Sequence, residues 1–391
     1  MIGYIDRGKA SGKPFLASVN FIANHIPVQA RDADIAAYAG RYNAGWTALR
    51  KERRAAAIAK GVMPADVAMV TMGTSGDWSK LSAEQKRQRA GAMAAYAGMG
   101  TAMDREIGRL VTHLKAIGEY ENTIFVFLSD NGAEATDPMN MGAFARWNAN
   151  HLYDQSIAQQ GRPGSLTAQG AGFASASASP LRGYKFTANE GGLRVPMIIA
   201  WPGNRAIKGG RIASGFAHVT DMPLTLLKLV GVAPQQGSFS GRRVEPMIGA
   251  DLTPMLTGAA SSVHSADKPL GYELSGNAVL FKGDYKLVKN LPPYGDGRWR
   301  LYNIITDPGE TNDLSGSDPQ RFADMQSDYA AFAKANNVLP MPDGYTAPKQ
   351  IFANAMRTLL IPRLIALWPV GGLLLMATAA IIWWRRRRAS R

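Results

Sequence analysis

Three short, mostly apolar runs alternate with longer amphipathic stretches over the first 201 residues of the chain. Such runs are typical of strands buried on both faces, as in a parallel sheet. Between the first two runs, apolar positions recur every three or four residues over 81–118, which predicts a long helix. Ser82 and Gln85 have the spacing of a capping box, which marks the start of this helix. The predicted strands lie at 15–22, 123–128 and 194–201.

The pattern changes after the second predicted strand. Residues 137–180 show no helical or strand period and contain many small residues, so we predict a long ordered loop over an active-site face. A helix is predicted over 221–230, with Asp221 as its N-cap and Gly231 as its stop.

The last third of the chain has a different organisation. Residues 272–288 alternate turns with short strands, which is typical of an antiparallel sheet, and 319–336 predict an amphipathic helix. Strands alternate with helices before residue 235. The sequence therefore predicts an α/β domain with a mostly parallel central sheet flanked by helices, followed by a small antiparallel α+β subdomain.

An uncharged apolar segment lies near the C-terminus. As a helix, the 21 residues of 364–384 span about 31 Å, the thickness of a bilayer core. The arginines at 385–388 would face the cytoplasm by the positive-inside rule, which places the body on the periplasmic or another extracytoplasmic side. Such a topology needs an export signal, but residues 1–20 have no apolar stretch of the required length.

Two explanations of this mismatch are open: a tail anchor that holds a cytosolic body against the charge rule, or a missing N-terminus. We favour the second, and expect a membrane protein with a single C-terminal transmembrane helix. The predicted units are an α/β domain at 1–235, an α+β subdomain at 236–340, a linker at 341–363, a transmembrane helix at 364–384 and a basic cytoplasmic tail at 385–391.

Composition narrows the class of protein further. Hydrophobic residues make up 46% of the 391 residues, enough for a buried core, so global disorder is excluded. The chain has no cysteine, which excludes a disulfide scaffold, a zinc–thiolate site and a cysteine nucleophile within it. The net charge is +14, but six of the basic residues flank the apolar segment, and no aromatic–basic stripe supports nucleic-acid binding.

Polar residues lie near the predicted strands at three places. His25 comes after the first strand, Asp130 and Asn131 come after the second, and Lys185 precedes the third. Ligands of α/β sheets bind outside the carboxyl ends of strands, so these are candidate site residues. Carboxylate and amide oxygens suit a hard cation such as Ca²⁺, although Asp-Asn-Gly taken alone also suits a simple turn.

Three segments carry a resemblance to a known family. They are KPFLASVNFIANHIPVQA at 13–30, TIFVFLSDNGAE at 123–134 and LRGYKFTANEGGLRVPMIIAWPG at 181–203. Together with the later DPGETNDL, they resemble the sulfatase family, specifically its bacterial arylsulfatase-like branch within the alkaline-phosphatase-like superfamily.

The resemblance implies a role for each candidate residue. Asp130 and Asn131 match one pair of calcium ligands, while Lys185 and His25 match cationic side chains that contact the substrate sulfate. Glu190 matches a residue of an internal ion pair. The implied reaction is hydrolysis of a sulfate ester by a formylglycine nucleophile, with calcium and cationic side chains stabilising the oxyanions.

Several parts that the resemblance implies are missing. The formylglycine arises from the Cys or Ser of Cys/Ser-x-Pro-x-Arg, and this chain has no cysteine and no Ser-x-Pro-x-Arg. A first Asp-Asp calcium pair and a Lys-x-His pair also have no counterpart. Because these parts all belong to one N-terminal region, we expect an N-terminally truncated sulfatase that holds part of the calcium shell and is inactive alone.

The leading hypothesis is a membrane-anchored, arylsulfatase-like sulfuric ester hydrolase whose partners are a sulfate ester and, through its last helix, the membrane. One alternative is a catalytically inactive membrane-anchored remnant or binding module. Another is a metal-dependent phosphoesterase of the same superfamily. Nucleic acid is not an expected partner, and the sequence leaves the natural substrate and the oligomeric state open.

Overall fold

The computed structural model describes residues 1–70, 72–140, 142–207, 209–235, 237–366, 368, 376, 378, 381–382 and 386–388. Short 3₁₀ turns and one π turn, at Met356–Leu360, join the longer elements. The α-helices are α1 Ile2–Ala10, α2 Asp32–Ala36, α3 Gly45–Ala59, α4 Ala83–Ala116, α5 Ala143–Leu152, α6 Gly170–Ser177, α7 Glu190–Leu193, α8 Asp221–Leu229, α9 Thr253–Thr257, α10 Pro319–Ala335 and α11 Ala347–Ala355.

The described strands form two small two-stranded sheets and one four-stranded sheet, and each pairing in them is antiparallel. The four-stranded sheet has the order β5-β6-β7-β8. The strands are β1 Phe125–Leu128, β2 Met197–Ala200, β3 Ser238–Phe239, β4 Arg242–Arg243, β5 Leu270–Leu274, β6 Asn277–Lys282, β7 Tyr285–Lys289 and β8 Trp299–Asn303.

The prediction of a mostly parallel central sheet is therefore wrong for the part of the chain that the structure describes. Strands β1 and β2 lie where the apolar runs predicted them, but they pair antiparallel, with Phe125 opposite Ala200. They are also not buried on both faces, because Phe127 and Ile198 are 39% and 60% exposed. An apolar run predicts a strand, whereas strand direction depends on how distant segments meet.

The first predicted strand, at 15–22, is also wrong. This segment has no regular secondary structure and belongs to no sheet of the described residues. Leu16 is 91% exposed and Ile22 is 76% exposed, so the run does not contribute to a core. A strand satisfies its backbone groups through a neighbouring strand, and these apolar residues have no such neighbour among the described strands.

Helix α4 begins as the sequence predicts and supports the first core. Ser82 accepts from the backbone N–H of Gln85 at 3.2 Å, and the Gln85 side chain accepts from the N–H of Ser82 at 2.8 Å. Its buried face carries Met93, which packs in a core with aromatic residues of α3 and α6. Trp46 and Phe173 meet there edge to face, with ring centroids 5.7 Å apart.

The prediction of a loop over 137–180 is wrong, because this stretch contains α5 and α6. Helix α6 is hidden from sequence patterns because it has no polar face. Its members Gly170, Phe173 and Ser175 point in different directions and are all buried. A helix buried on every side has no amphipathic period.

The C-terminal subdomain confirms the expected antiparallel strands and final helix. Side chains alternate across the sheet, so Leu280, Leu287 and Leu301 pack against Met325 of α10. On the opposite face, Val279 and its neighbours pack against the first part of the chain around Ala188. The sheet is therefore a layer between α10 and the segment that carries the candidate site.

The predicted helix at 221–230 is present, but Asp221 is not its N-cap. The N-cap is Thr220, and Asp221 is fully buried. Its carboxylate accepts from the backbone N–H groups of His218 and Ala250, each at 2.7 Å, and lies 2.8 Å from Nε2 of His264. The side chain thus fastens neighbouring loops to α8 instead of capping it.

Within the described residues, no helix is both long and apolar enough to cross a membrane. The transmembrane helix predicted at 364–384 lies mostly outside those residues.

Candidate functional site

The turn after β1 carries Asp130 and Asn131 and is held by a close approach between two backbones. The N–H of Gly132 donates to the carbonyl of Gly192 at 2.9 Å. A Cβ atom at Gly132 would lie 2.0 Å from the carbonyl oxygen of Gly191, so only glycine fits here. The Asp-Asn-Gly turn is therefore seated on the glycines of the Glu-Gly-Gly motif in α7.

Asp130 and Asn131 fit a hard cation in chemistry but supply only part of a shell. Asp130 is exposed and Asn131 is half-buried. Their carboxylate and amide oxygens are the donors that Ca²⁺ prefers, but Ca²⁺ takes six to eight oxygens. In the part of the chain that the structure describes, no group of three or more His, Cys, Asp or Glu side chains is arranged to hold a metal ion.

Lys185 lies on a tight turn that is tied to the same loop. The N–H of Thr187 donates to the carbonyl of Tyr184 at 3.1 Å, which closes a four-residue turn with Lys185 at its second position. The N–H of Lys185 donates to the carbonyl of Ala133 at 3.0 Å. Because of this bond, the lysine begins its path directly beside the segment that follows Asp130.

His25 reaches the site from the opposite end of the chain. The amide of Asn24 donates to the carbonyl of Tyr96 in α4 at 2.9 Å, which fixes this segment on the helix. Nδ1 of His25 lies 2.8 Å from the carbonyl oxygen of Ile26. A carbonyl only accepts, so Nδ1 donates this hydrogen bond, and Nε2 is the ring nitrogen that faces the site.

His25 and Lys185 meet at a third residue, Glu134. Nζ of Lys185 lies 2.9 Å from Nε2 of His25 and 2.8 Å from Oε2 of Glu134. Oε2 of Glu134 is also 3.1 Å from Nε2 of His25. An ammonium group has three donors, so two face these partners and the third can bind an anion.

Glu134 is an ionised carboxylate in a mostly buried position, with 8% of its surface exposed. Burial acts to raise its pKa, but hydrogen bonds from Lys185 and Thr136 outweigh burial and hold the pKa of Glu134 below its usual range. Its Oε1 accepts from the backbone N–H of Thr136 at 2.8 Å. The carboxylate is therefore fixed in place and holds the lysine ammonium group beside the imidazole.

A second ion cluster lies behind the site, and its three central side chains, Lys286, Glu190 and Glu310, are buried. Nζ of Lys286, in β7, is 2.9 Å from Oε1 of Glu190 and 3.0 Å from Oε1 of Glu310. Glu310 also accepts from the backbone N–H of Glu190 at 2.9 Å. Arg194 pairs with the other oxygen of Glu190 at 3.2 Å. The internal ion pair expected for Glu190 is present, and it joins the Glu-Gly-Gly motif to the C-terminal sheet.

The structure thus brings together two of the four predicted site residues directly, His25 and Lys185. Asp130 and Asn131 lie on the adjoining turn, and no hydrogen bond or ion pair joins their side chains to the other two within the described residues. Sequence reasoning missed Glu134. The only signal for it was its place four residues after Asp130, in the segment that carries the resemblance.

The fold and site define an α/β protein in which a lysine, a histidine and a glutamate side chain lie close together, next to the Asp-Asn-Gly turn that follows β1. Residues 1–232 match the sulfatase family, and the chain belongs to that family. An uncharacterized sulfatase of Schizosaccharomyces pombe is 31% identical over 345 residues, which are 87% of this chain and 61% of the relative. An arylsulfatase of Klebsiella aerogenes is 32% identical over 243 residues, which are 62% of this chain and 51% of the relative.

A solved structure supports the fold. Ps i-CgsB in complex with k-i-k-neocarrahexaose superimposes with a TM-score of 0.53 at 20% identity, covering 92% of this chain and 58% of that one. The chain spans about half to three fifths of the length of the relatives named here.

Proposed function

We propose that this chain binds the sulfate group of a sulfate ester and acts in its hydrolysis, as part of an arylsulfatase-like sulfuric ester hydrolase. The observation that carries the proposal is the meeting of Lys185, His25 and Glu134 within about one hydrogen-bond length of each other. Membership of the sulfatase family and the similarity to an arylsulfatase support this reaction class.

Each side chain has a distinct part in the proposal. Lys185 donates to a sulfate oxygen and balances its negative charge. His25 lies beside it, and the 2.9 Å contact between its Nε2 and Nζ of Lys185 fixes the direction of the ammonium group. Glu134 keeps the ammonium group and the imidazole together, so the remaining donor of Lys185 is preorganised to face the ligand.

Asp130 and Asn131 are proposed as two ligands of a calcium ion. The exposed carboxylate of Asp130 and the amide oxygen of Asn131 have the right chemistry. Gly132 keeps their turn pressed against α7. A bound calcium ion would polarise the sulfate oxygens and stabilise the negative charge that develops on them.

The nucleophile is not among these residues. The formylglycine that the family resemblance implies needs a Cys or Ser within Cys/Ser-x-Pro-x-Arg, and the 391 residues contain no such sequence. We therefore propose that these residues bind the ester but do not cleave it by themselves. Turnover of 4-nitrophenyl sulfate by the purified chain, lost on Lys185→Met, would contradict this part of the proposal.

Sulfate binding to the purified chain tests the main proposal. We expect calorimetry to detect inorganic sulfate and Lys185→Met to weaken its binding by about tenfold, since a hydrogen bond to a charged group contributes about 1.5 kcal/mol or more. The matched control is Lys282→Met, whose ammonium group pairs with Asp328 at 2.7 Å in the C-terminal subdomain. Equal affinity in wild type and Lys185→Met, or tighter binding of inorganic phosphate than of sulfate, would refute the assignment.

Calcium binding is tested separately. Asp130→Ala should weaken calcium binding, measured by calorimetry, while Asp284→Ala, which removes an exposed acid from the turn between β6 and β7, should leave it unchanged. If both variants bind calcium as the wild type does, Asp130 is not a ligand.

The cellular placement is also a proposal. The apolar segment at 364–384 and the arginines at 385–388 are typical of a membrane helix with a cytoplasmic basic tail. We propose that this segment anchors the chain with its body on the extracytoplasmic side. Release of the protein from membranes by alkaline carbonate, or protection of the body from protease added outside spheroplasts, would contradict it.

A further inference from the structure

Two exposed aromatic rings stand beside the candidate sulfate site. Phe186 directly follows Lys185, and its ring is 41% exposed. It stacks on Tyr294, which is 37% exposed, with ring centroids 6.3 Å apart and planes within 6° of parallel. Nζ of Lys185 lies 5.6 Å from the centroid of the Phe186 ring, so the rings and the ammonium group border one region of the surface.

The backbone at Phe186 is in a conformation that a phenylalanine rarely adopts. Its φ is +77°, in the left-handed region. Phe186 is the third residue of the turn closed by Thr187 and Tyr184, the position where a positive φ favours glycine. Strained residues of this kind cluster at ligand sites, where the surrounding structure holds them in place.

The C-terminal subdomain holds the two rings in register. The amide of Asn277 donates to the carbonyl of Phe186 at 3.2 Å, and its oxygen accepts from the N–H of Leu291 at 2.8 Å. Asn290 accepts from the N–H of Ala188 at 2.6 Å. Two asparagines thus fix the Lys185–Phe186 turn to the loop that carries Tyr294, so the aromatic pair is preorganised.

We propose that Phe186 and Tyr294, called here the aromatic platform, bind the aromatic ring of an aryl sulfate whose sulfate group lies at Lys185 and His25. This inference rests on the proposed sulfate site and adds the residues that select the organic part of the ester. An aryl ring is favoured because two parallel phenyl faces offer stacking area, and because the platform adjoins the cation that would hold the sulfate.

The test compares ligands that share a sulfate group. Calorimetry on the full chain measures the dissociation constants of 4-nitrophenyl sulfate, methyl sulfate, glucose 6-sulfate and inorganic sulfate. The key variants are Phe186→Gly, which suits the positive φ and should fold, and Tyr294→Leu. The control is Phe239→Ala, which removes an exposed phenylalanine of β3.

We expect both platform variants to weaken binding of 4-nitrophenyl sulfate by about three- to tenfold, the effect of losing one aromatic contact. Their affinities for methyl sulfate and inorganic sulfate should match those of the wild type, and Phe239→Ala should change none of them. Lys185→Met should instead weaken all four ligands.

The outcomes separate this inference from the proposed function. If the wild type binds none of the four ligands, the proposed sulfate site fails and the platform fails with it. If the wild type binds inorganic sulfate through Lys185, but Phe186→Gly and Tyr294→Leu bind 4-nitrophenyl sulfate as well as the wild type does, only the platform is refuted. It is also refuted if glucose 6-sulfate, and not the aryl ester, loses affinity in these variants, because the occupant is then a sugar ring.

Discussion

Replacing Lys286 with methionine removes the cation from the buried cluster behind the site. The side chains of Lys286 and Glu310 are 0% exposed and that of Glu190 is 3% exposed. After the change, Glu190 keeps Arg194 as a partner, but among the described residues no other cation pairs with Glu310. Breaking a buried ion pair by removing one member costs about 3–5 kcal/mol, so we expect Lys286→Met to lower the free energy of unfolding by that amount near neutral pH.

The loss should depend on pH because Glu310 can take up a proton. Burial already raises the pKa of Glu310 above its usual value, although Lys286 opposes this, and the variant lacks that opposition. A group whose pKa is higher in the folded state contributes stability below its unfolded pKa and loses it as pH rises through the folded value. The penalty of Lys286→Met should therefore grow with pH above the acidic range, by at most about 1.4 kcal/mol per pH unit.

The assay is urea denaturation between pH 5 and pH 8, followed by tryptophan fluorescence. Trp299 lies in β8, next to the strand that carries Lys286, and reports on the same sheet. Lys286→Met combined with Glu310→Gln should recover part of the loss, because no charge is then left unpaired at Glu310. The control is Lys282→Met, at a partly exposed ion pair that contributes about 1 kcal/mol or less. A penalty below about 1 kcal/mol that does not change with pH would refute this account of the cluster.

Three further changes test the packing of the Gly132 turn, the N-cap of α4 and the charge of Glu134. Gly132→Ala should lower the free energy of unfolding by about 1–3 kcal/mol in urea denaturation, because its Cβ would lie 2.0 Å from the Gly191 carbonyl oxygen. The control is Gly108→Ala in an open part of α4, which should raise the free energy of unfolding by up to about 1 kcal/mol in the same experiment. Ser82→Ala removes the N-cap hydrogen bond of α4 and should lower the free energy of unfolding by about 1 kcal/mol, measured as a lower melting temperature. Ser317→Ala, on an exposed turn, is the control. The pKa of Glu134 is lower in the folded than in the unfolded state, so its contribution to stability is present above the unfolded pKa and is lost as pH falls through the folded pKa. Glu134→Gln should therefore reduce the loss of stability in acid. An unchanged dependence of stability on acid pH would contradict this contribution of Glu134.

Local patterns predicted many of the elements correctly. The capping box at Ser82 and the repeat that follows it predicted α4, and strand alternation over 272–288 predicted β5 to β7 but not β8. These signals lie within a few residues of one another, so they can be read without knowing what the segment packs against. The same reasoning failed for α6, because Phe173 and its neighbours are buried on every side.

Two sequence motifs predicted part of the candidate site. The Asp-Asn-Gly turn and the Lys-x4-Glu-Gly-Gly stretch indicated Asp130, Asn131 and Lys185, and the structure seats the first motif on the glycines of the second. Glu134 was not predicted, because a glutamate after a turn is most often a solvated residue. Its role follows only from its distances to Lys185 and His25.

By itself, the sequence determined where α4 begins, where β1 and β2 lie, which family the chain resembles and which residues carry candidate chemistry. The tertiary structure decided the direction of β1 against β2, the burial of Lys286 inside a charged cluster, and the meeting of His25 with Lys185, which are 160 positions apart. The physical reason is how far apart in the chain the interacting residues lie. Periodicity, capping and turn chemistry act between neighbours in the chain, whereas strand pairing and the pairing of buried charges depend on segments that only folding brings together.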